Sequence, residues 1–265
     1  MNTRCHILIT TKEQLYALFD STNIDRIYVD CALALKYSED IKQLKSNVYL
    51  AGPYILREEY FGKILDLINL NIFKGILVRN IETYALLNNN KIYNLDIVLD
   101  SGMYILNNEA YNFYLEAFEL SFSEFYNSLE LNSYEIKELR ESIKGNVINS
   151  QIVYGYNTLM VSANCVKKTL LTCNHNPEII EIDDRLNKHF YSYSNCEFCY
   201  NTLFNQVPLS LHKNLDYIKK IGNYRLDFTI ENADMMKRVI DYFTCNNNSL
   251  PYKDFTNGLY KRGVL

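Results

Sequence analysis

Eight short runs rich in β-branched and aromatic residues recur along this chain, and amphipathic segments follow most of them. The runs are Cys5–Thr10, Arg26–Cys31, Asn47–Ala51, Gly75–Val78, Leu95–Leu99, Glu124–Leu131, Ile148–Gly155 and Tyr224–Thr229. Runs of this kind alternating with segments of helical period point to parallel strands joined by crossover helices. Eight such units predict an α/β fold, a closed (β/α)8 barrel of the TIM type. Most units span only about 20–29 residues from strand to strand, so some helices have two or three turns or the barrel is irregular. An open doubly wound sheet is the alternative.

The helical segments carry their own signals. Thr11, with Gln14 three residues on, forms a capping-box pattern, and Leu15, Leu18 and Phe19 give the segment an apolar stripe. Tyr60, Ile64, Leu67 and Ile68 make a second stripe, and Tyr111, Tyr114, Leu115 and Phe118 a third. Asn132 and Glu135 open a helix carrying Ile136, Leu139 and Ile143. Met236, Val239, Ile240 and Phe243 make the last stripe.

One interval breaks the rhythm. About 76 residues separate the starts of the seventh and eighth runs, and the excess, residues 156–223, leaves the C-terminal end of the seventh strand. Loops at that face of a barrel build active sites. No Gly/Ser linker, repeat or low-complexity tract interrupts the chain, so residues 1–265 are expected to form one domain with this insertion over the barrel mouth.

Four of the seven cysteines fall in the insertion: Cys165, Cys173, Cys196 and Cys199, spaced C-x7-C-x22-C-x2-C. The final C-x2-C lets two thiolates reach one ion from a tight turn, and two further sulfurs complete a tetrahedral zinc site or hold the corners of a 4Fe–4S cluster. His175 and His189 lie in the same insertion as alternative zinc ligands. The plain reading of each cysteine is a small buried hydrophobe, which is how Cys5, Cys31 and Cys245, on or beside regular elements, are read.

Charge narrows the partners. With 27 Lys and Arg against 31 Asp and Glu the net charge is −4, which opposes broad affinity for nucleic acid. Lys167–Lys168, Lys219–Lys220 and Lys261–Arg262 are read as solvated surface or as a local basic patch. The N-terminal apolar run is too short for a secretory signal, and no stretch reaches membrane-spanning length. A cytoplasmic protein is therefore expected, with neither membrane nor DNA as partner. Glycine-rich phosphate loops, H-E-x-x-H and G-x-S-x-G are all absent from the sequence.

The insertion and its flanks resemble a known family. Val153-Tyr154-Gly155, Leu159-Met160-Val161-Ser162 and Cys165 are similar to the V-Y-G-x-x-x-L-M-V-S-x-x-C segment of the U32 peptidase family. Cys173, Asp184-Arg185, Cys196-x-x-Cys199-Tyr200-Asn201, Pro208-Leu209-Ser210-Leu211 and Arg225-Leu226-Asp227-Phe228-Thr229 continue the likeness. Val78-Arg79-Asn80, Asp100 to Asn107, and Ser128-x-Glu130-Leu131-Asn132 extend it upstream, to about residue 47. The family name implies collagenase-like proteolysis. Its better-understood members are oxygen-independent hydroxylases of tRNA uridine, ribosomal RNA cytidine or a ubiquinone precursor, and they carry iron–sulfur clusters. The resemblance thus implies a 4Fe–4S cluster at the four cysteines, with structural zinc as the alternative.

The chain departs from the family pattern in three places. The A-P-A-G-D opening of long members is absent, so the chain resembles their later, barrel-like half. Tyr156 stands where an arginine follows Tyr-Gly, and Leu259 replaces the histidine in Thr256-x-Gly258-Leu259-Tyr260-Lys261-Arg262-Gly263-Val264. Altered substrate or lost activity is expected from such changes.

Three functions follow as expectations. The first is a metal-cluster enzyme acting on an RNA base or a small aromatic substrate. In it Glu130 and Asp227, near strand C-terminal ends, do acid–base work, and Arg79 and Arg225 hold a carboxylate or phosphate. An Arg225–Glu130 ion pair at the rim is the plain alternative. The second is a peptidase, for which no Cys–His–Asn set is identifiable by spacing. The third is a non-catalytic subunit or accessory protein working with a protein partner.

Overall fold

The structure is a computed structural model that describes residues 4–21, 24–117, 119–143, 145–245 and 249–263. Phe118 and Val264 lie outside the described residues. Strand and helix alternate from the start: β1 (Cys5–Ile9), α1 (Lys12–Tyr16), β2 (Arg26–Asp30), α2 (Cys31–Ile41), β3 (Asn47–Ala51), α3 (Phe61–Asn69), β4 (Gly75–Val78) and α4 (Ile81–Asn89). Then follow β5 (Asp96–Leu99), α5 (Asn108–Ala117), β6 (Glu124–Tyr126), α6 (Ser133–Ser142) and β7 (Ile148–Gly155). The insertion contributes β8 (Thr158–Ser162), α7 (Val166–Thr169), β9 (Ile179–Asp183), β10 (His189–Asn195), β11 (Tyr200–Phe204) and β12 (Leu209–Ser210). The chain then runs through α8 (Leu215–Ile221), β13 (Tyr224–Asp227) and α9 (Ala233–Cys245).

Eight strands pair in parallel in the order β7-β13-β1-β2-β3-β4-β5-β6, and β6 pairs back onto β7. The sheet is a closed (β/α)8 barrel, and closure replaces the open-sheet alternative. The compactness of the units shows in α1, five residues long, whose capping box at Thr11 and Gln14 supplies the hydrogen bonds so short a helix lacks. The Asn132–Glu135 box starts α6 in the same way. Ile64, Leu67 and Ile68 on α3 and Met236, Val239, Ile240 and Phe243 on α9 turn inward as their spacing requires. On α5 only Tyr111 is buried and Leu115 is exposed. No described helix is long and apolar enough to cross a membrane.

β1 and β2 each end one residue sooner than expected, at Ile9 and Asp30, and two runs end sooner by more. β6 stops at Tyr126, because Ser128 Oγ accepts the Glu130 amide and the Leu131 amide turns back to the Ser128 carbonyl. β13 stops at Asp227, although the Phe228 amide still reaches the Leu8 carbonyl at 2.9 Å.

The barrel interior is polar where such barrels are commonly aliphatic. Arg26 on β2 donates to Glu124 on β6 at 2.7 Å, across strands that are not neighbours. Asn223 and Ser150 donate to the other oxygen of Glu124. Tyr126 joins Tyr28 at 3.2 Å and His6 Nδ1 at 2.7 Å. Burial, with Arg26 and Arg225 nearby, drives the His6 pKa well below its ordinary value and keeps the ring neutral. Such a network is tolerated because nearly every charge in it has a partner.

The insertion folds as a four-stranded antiparallel sheet in the order β8-β11-β10-β9. β12 leaves it to pair antiparallel with the end of β7. Gly155, which closes the Val-Tyr-Gly motif, sits at φ +145°, and a Cβ there would stand 2.7 Å from the Asp227 carbonyl oxygen. Only glycine lets β7 pass this close to β13 before turning into the insertion.

Candidate functional site

A cavity of about 650 Å³ opens over the C-terminal ends of the barrel strands. Arg79, Glu130, Arg225 and Asp227, the four residues put forward from sequence, all line it. Arg79 follows β4, Asp227 ends β13, and Glu130 lies exposed in the turn after β6.

The floor is an alternating chain of charges. Asp30 accepts from Arg79 Nη1 at 3.3 Å, and Asp100 Oδ2 accepts from Arg79 Nε at 3.1 Å. Asp100 Oδ1 then accepts from Arg225 Nη2 at 2.8 Å, and both Asp227 oxygens accept from Arg225, at 2.6 and 2.9 Å. The Arg225–Glu130 pair entertained from sequence does not form, because Asp100, buried with the arginine, and the half-buried Asp227 take its donors instead. Tyr54 lies 4.4 Å beneath the Arg79 guanidinium and Tyr126 4.1 Å from that of Arg225, contacts that suit a weakly hydrated planar cation. Arg225 Nη1 is buried and makes no hydrogen bond among the described residues.

Titration divides the carboxylates. Burial raises the pKa of Asp227, and Arg225 offsets this only in part. Asp30 is raised by burial in the same way, against Arg79. Burial also acts against ionised Asp100, but Arg225 and Arg79 together bring its pKa below the usual range. Asp100 is therefore the fixed anion, and Asp227 the group that takes up a proton more readily.

The cysteines occupy the insertion, and none lines this cavity. All four are free thiols. Cys165 is buried and precedes α7, Cys173 is exposed, and Cys196 and Cys199 close the turn between β10 and β11. Burial raises the Cys196 pKa, Lys167 opposes it, and Cys173 and Cys165 raise it further, so these three sulfurs share one electrostatic neighbourhood. Among the described residues no group of three or more His, Cys, Asp or Glu side chains stands in metal-holding geometry. His189 is engaged with Asp183. Of the cysteines read as structural, Cys5 and Cys31 are buried, but Cys245 ends α9 on the surface and packs no core.

The cysteine turn is fixed to the barrel chiefly by Arg57 and Lys63, which the sequence did not single out. Arg57 Nη1 donates to the carbonyls of Phe198 at 2.9 Å and Cys199 at 3.3 Å, and Nη2 to that of Ala163 at 3.1 Å. Lys63 donates to the Glu197 carbonyl at 2.8 Å. Phe198 is fully buried against Tyr60. Tyr200 Oη accepts from the Tyr54 amide at 3.2 Å and from Asn195 at 3.1 Å, joining the turn to the cavity wall. Asp30 and Asp100 carried a legible signal, an acid at the end of one strand run and just past the end of another, and Asp100 also fell within the family resemblance; Arg57 carried none, because its partners are backbone carbonyls more than 100 residues away.

Among the described residues the direct Ser–His contact, Ser210 Oγ to His212 Nδ1 at 2.7 Å, is a packing contact. Ser210 is fully buried and is also bonded to Tyr252 at 2.6 Å. It presents no nucleophile to a substrate.

No family model and no curated protein matches the chain. Among solved structures it is similar to the YdjI aldolase from Escherichia coli K12, at 7% identity and TM-score 0.47, over 93% of this chain and 83% of that one. It is also similar to an uncharacterized B. cereus protein, at 11% identity and TM-score 0.47, over 88% of this chain and 63% of that one. Neither likeness bears on chemistry, and the barrel assignment stands on the strand pairing above.

Proposed function

We propose that this chain is an enzyme of the U32 peptidase type whose chemistry is oxygen-independent, iron–sulfur-dependent hydroxylation of an RNA base or a small aromatic compound. One observation carries the reading: Arg79, Glu130 and the Arg225–Asp227 pair, drawn from three separate parts of the sequence, line one cavity at the face where barrel enzymes work. Arg79 and Arg225 give the lining two guanidiniums, the chemistry that suits a carboxylate or phosphate. Asp227, its pKa raised by burial, holds or passes a proton at the reacting atom, and Glu130 does so at the solvent rim. Asp100 keeps both arginines in place without taking a proton itself.

Cys165, Cys173, Cys196 and Cys199 are the residues that would hold a 4Fe–4S cluster, which supplies one-electron transfer when bound. Four free thiols suit that cluster as donors, and suit structural zinc equally well. Tyr156 and Leu259, the departures from the family pattern, both line the cavity. That placement supports a changed substrate. Neither histidine nor cysteine lines the cavity among the described residues, so peptide hydrolysis lacks a base–nucleophile pair there and is not the reading carried. A protein partner is part of the proposal only in so far as an electron donor must dock.

Purification without oxygen, followed by iron, sulfide and zinc analysis, tests the cofactor. About four irons per chain is the expected result. Zinc without iron, or peptide hydrolysis that survives replacement of all four cysteines, sinks the reading. Loss of one hydroxylated nucleoside from cellular RNA on gene deletion identifies RNA as substrate.

A further inference from the structure

We propose that the crevice between the first two barrel loops and the cysteine-bearing insertion is a second small-molecule site, and that it takes a compact amphipathic anion, one negative group on an apolar body. The crevice holds about 350 Å³, within the range of small-ligand pockets. No residue lines both it and the cavity over the barrel. The inference rests on neither the metal reading nor the catalytic one.

The apolar body is set by the walls. Leu33 and Tyr37 of α2 face the crevice from the barrel side, and Ile179 and Tyr193 of β9 and β10 from the insertion side. α2 leaves helical geometry at Tyr37 (φ −129°, ψ 33°), the residue that forms this wall. Cys196 lies on the same lining.

The sign of the ligand follows from a count of charges. Lys36 is engaged by Glu197 at 3.3 Å, and Lys63 holds the same carboxylate at 3.0 Å. Glu178 is held by Lys167. Lys12 remains. It has no carboxylate within 4.0 Å among the described residues, and its ammonium stands 5.2 and 5.4 Å from the rings of Tyr16 and Tyr37. Ring faces attract a cation without neutralising it, so an arriving anion gains a charge-assisted hydrogen bond at that end. A carboxylate, sulfonate or phosphate ester fits; a cation meets Lys12 and gains no unpaired acid.

Two dyes with the same rings test this on the full chain. 8-Anilinonaphthalene-1-sulfonate carries the anion, and N-phenyl-1-naphthylamine lacks it. Lys12→Met is expected to weaken sulfonate binding by about tenfold, the usual worth of a hydrogen bond to a charged group, and to leave the neutral dye unchanged. Ala32→Phe fills the crevice and is expected to weaken both. Should that variant not fold, Ile179→Trp narrows the crevice from the insertion side and is read in the same way. Dye held on the exposed Leu170 and Leu171 responds to none of these substitutions. Sulfonate affinity unchanged in Lys12→Met, or lost equally for both dyes, overturns the anion site; affinities unchanged in the crevice-filling variant overturn the crevice.

Discussion

Arg225 and Asp100 pair across the barrel, Nη2 to Oδ1 at 2.8 Å, although β13 and β5 are not neighbours in the sheet. Arg79 takes the second oxygen of the same carboxylate at 3.1 Å. One aspartate thus holds two buried guanidiniums over the barrel axis, and its own pKa stays low because both face it.

Asp100→Asn removes the shared anion and leaves each guanidinium with one carboxylate, Asp30 for Arg79 and Asp227 for Arg225. A stability loss of about 3–5 kcal/mol is expected, the usual result of taking one partner from a buried ion pair. Urea unfolding checks it. A change under about 1 kcal/mol would mean that Asp30 and Asp227 suffice to hold the arginines.

Arg57→Ala is expected to free the cysteine turn from the barrel. Three backbone carbonyls, those of Ala163, Phe198 and Cys199, lose their donor. Amide exchange across 163–200 should speed by roughly tenfold or more, from hydrogen bonds to a charged group worth about 1.5–3 kcal/mol each. The barrel strands should keep their protection. Uniform deprotection of the whole chain would show instead that Arg57 supports global stability.

How much of this was legible beforehand depended on distance along the chain. Strands β3, β4 and β7 were readable to the residue, β3 and β4 because buried parallel strands are near-continuous apolar runs. The end of β6 was not, since Ser128, which turns the chain, follows Tyr126 with no glycine or proline between them. Arg79, Glu130 and Asp227 could be picked out because each lies at or beyond the C-terminal end of a strand, where barrels face their cavities, and Arg225 because it shares the Arg-Leu-Asp-Phe-Thr segment with Asp227. Their pairing could not be foreseen: Asp100 reaches Arg225 over 125 positions, and only barrel closure brings them together. The crevice at Lys12 was equally hidden, since half its lining comes from the insertion.

Tyr156→Arg with Leu259→His restores the two residues expected from the family pattern at positions that line the cavity. Tyr156 also packs edge-on against Tyr191 at 5.9 Å, so a modest stability loss of about 1 kcal/mol is expected. The informative readout is ligand choice. The double variant should bind anionic substrates more tightly than the parent chain by about tenfold for the added cation. Equal affinity in calorimetric titration would show that these two positions do not select the substrate.

Glu231 gives the clearest dependence on pH. It is nearly fully buried between β13 and α9, where one oxygen accepts the amides of Thr229 at 2.8 Å and Ile230 at 3.1 Å, and the Tyr154 hydroxyl lies close enough to the carboxyl to help lower its pKa. Burial raises its pKa from 4.5 to about 7, the Thr229 amide opposing. The folded state therefore binds this proton more tightly than the unfolded chain does. The associated stability is fully present below pH 4.5 and is lost as pH rises through 7, amounting to about 3 kcal/mol for a shift of this size. Glu231→Gln removes the titration while keeping an acceptor for the two amides. The difference in unfolding free energy between parent and variant should move by that amount between pH 4.5 and pH 8, in favour of the variant at high pH. A difference independent of pH would show that Glu231 is ionised in the fold across this range.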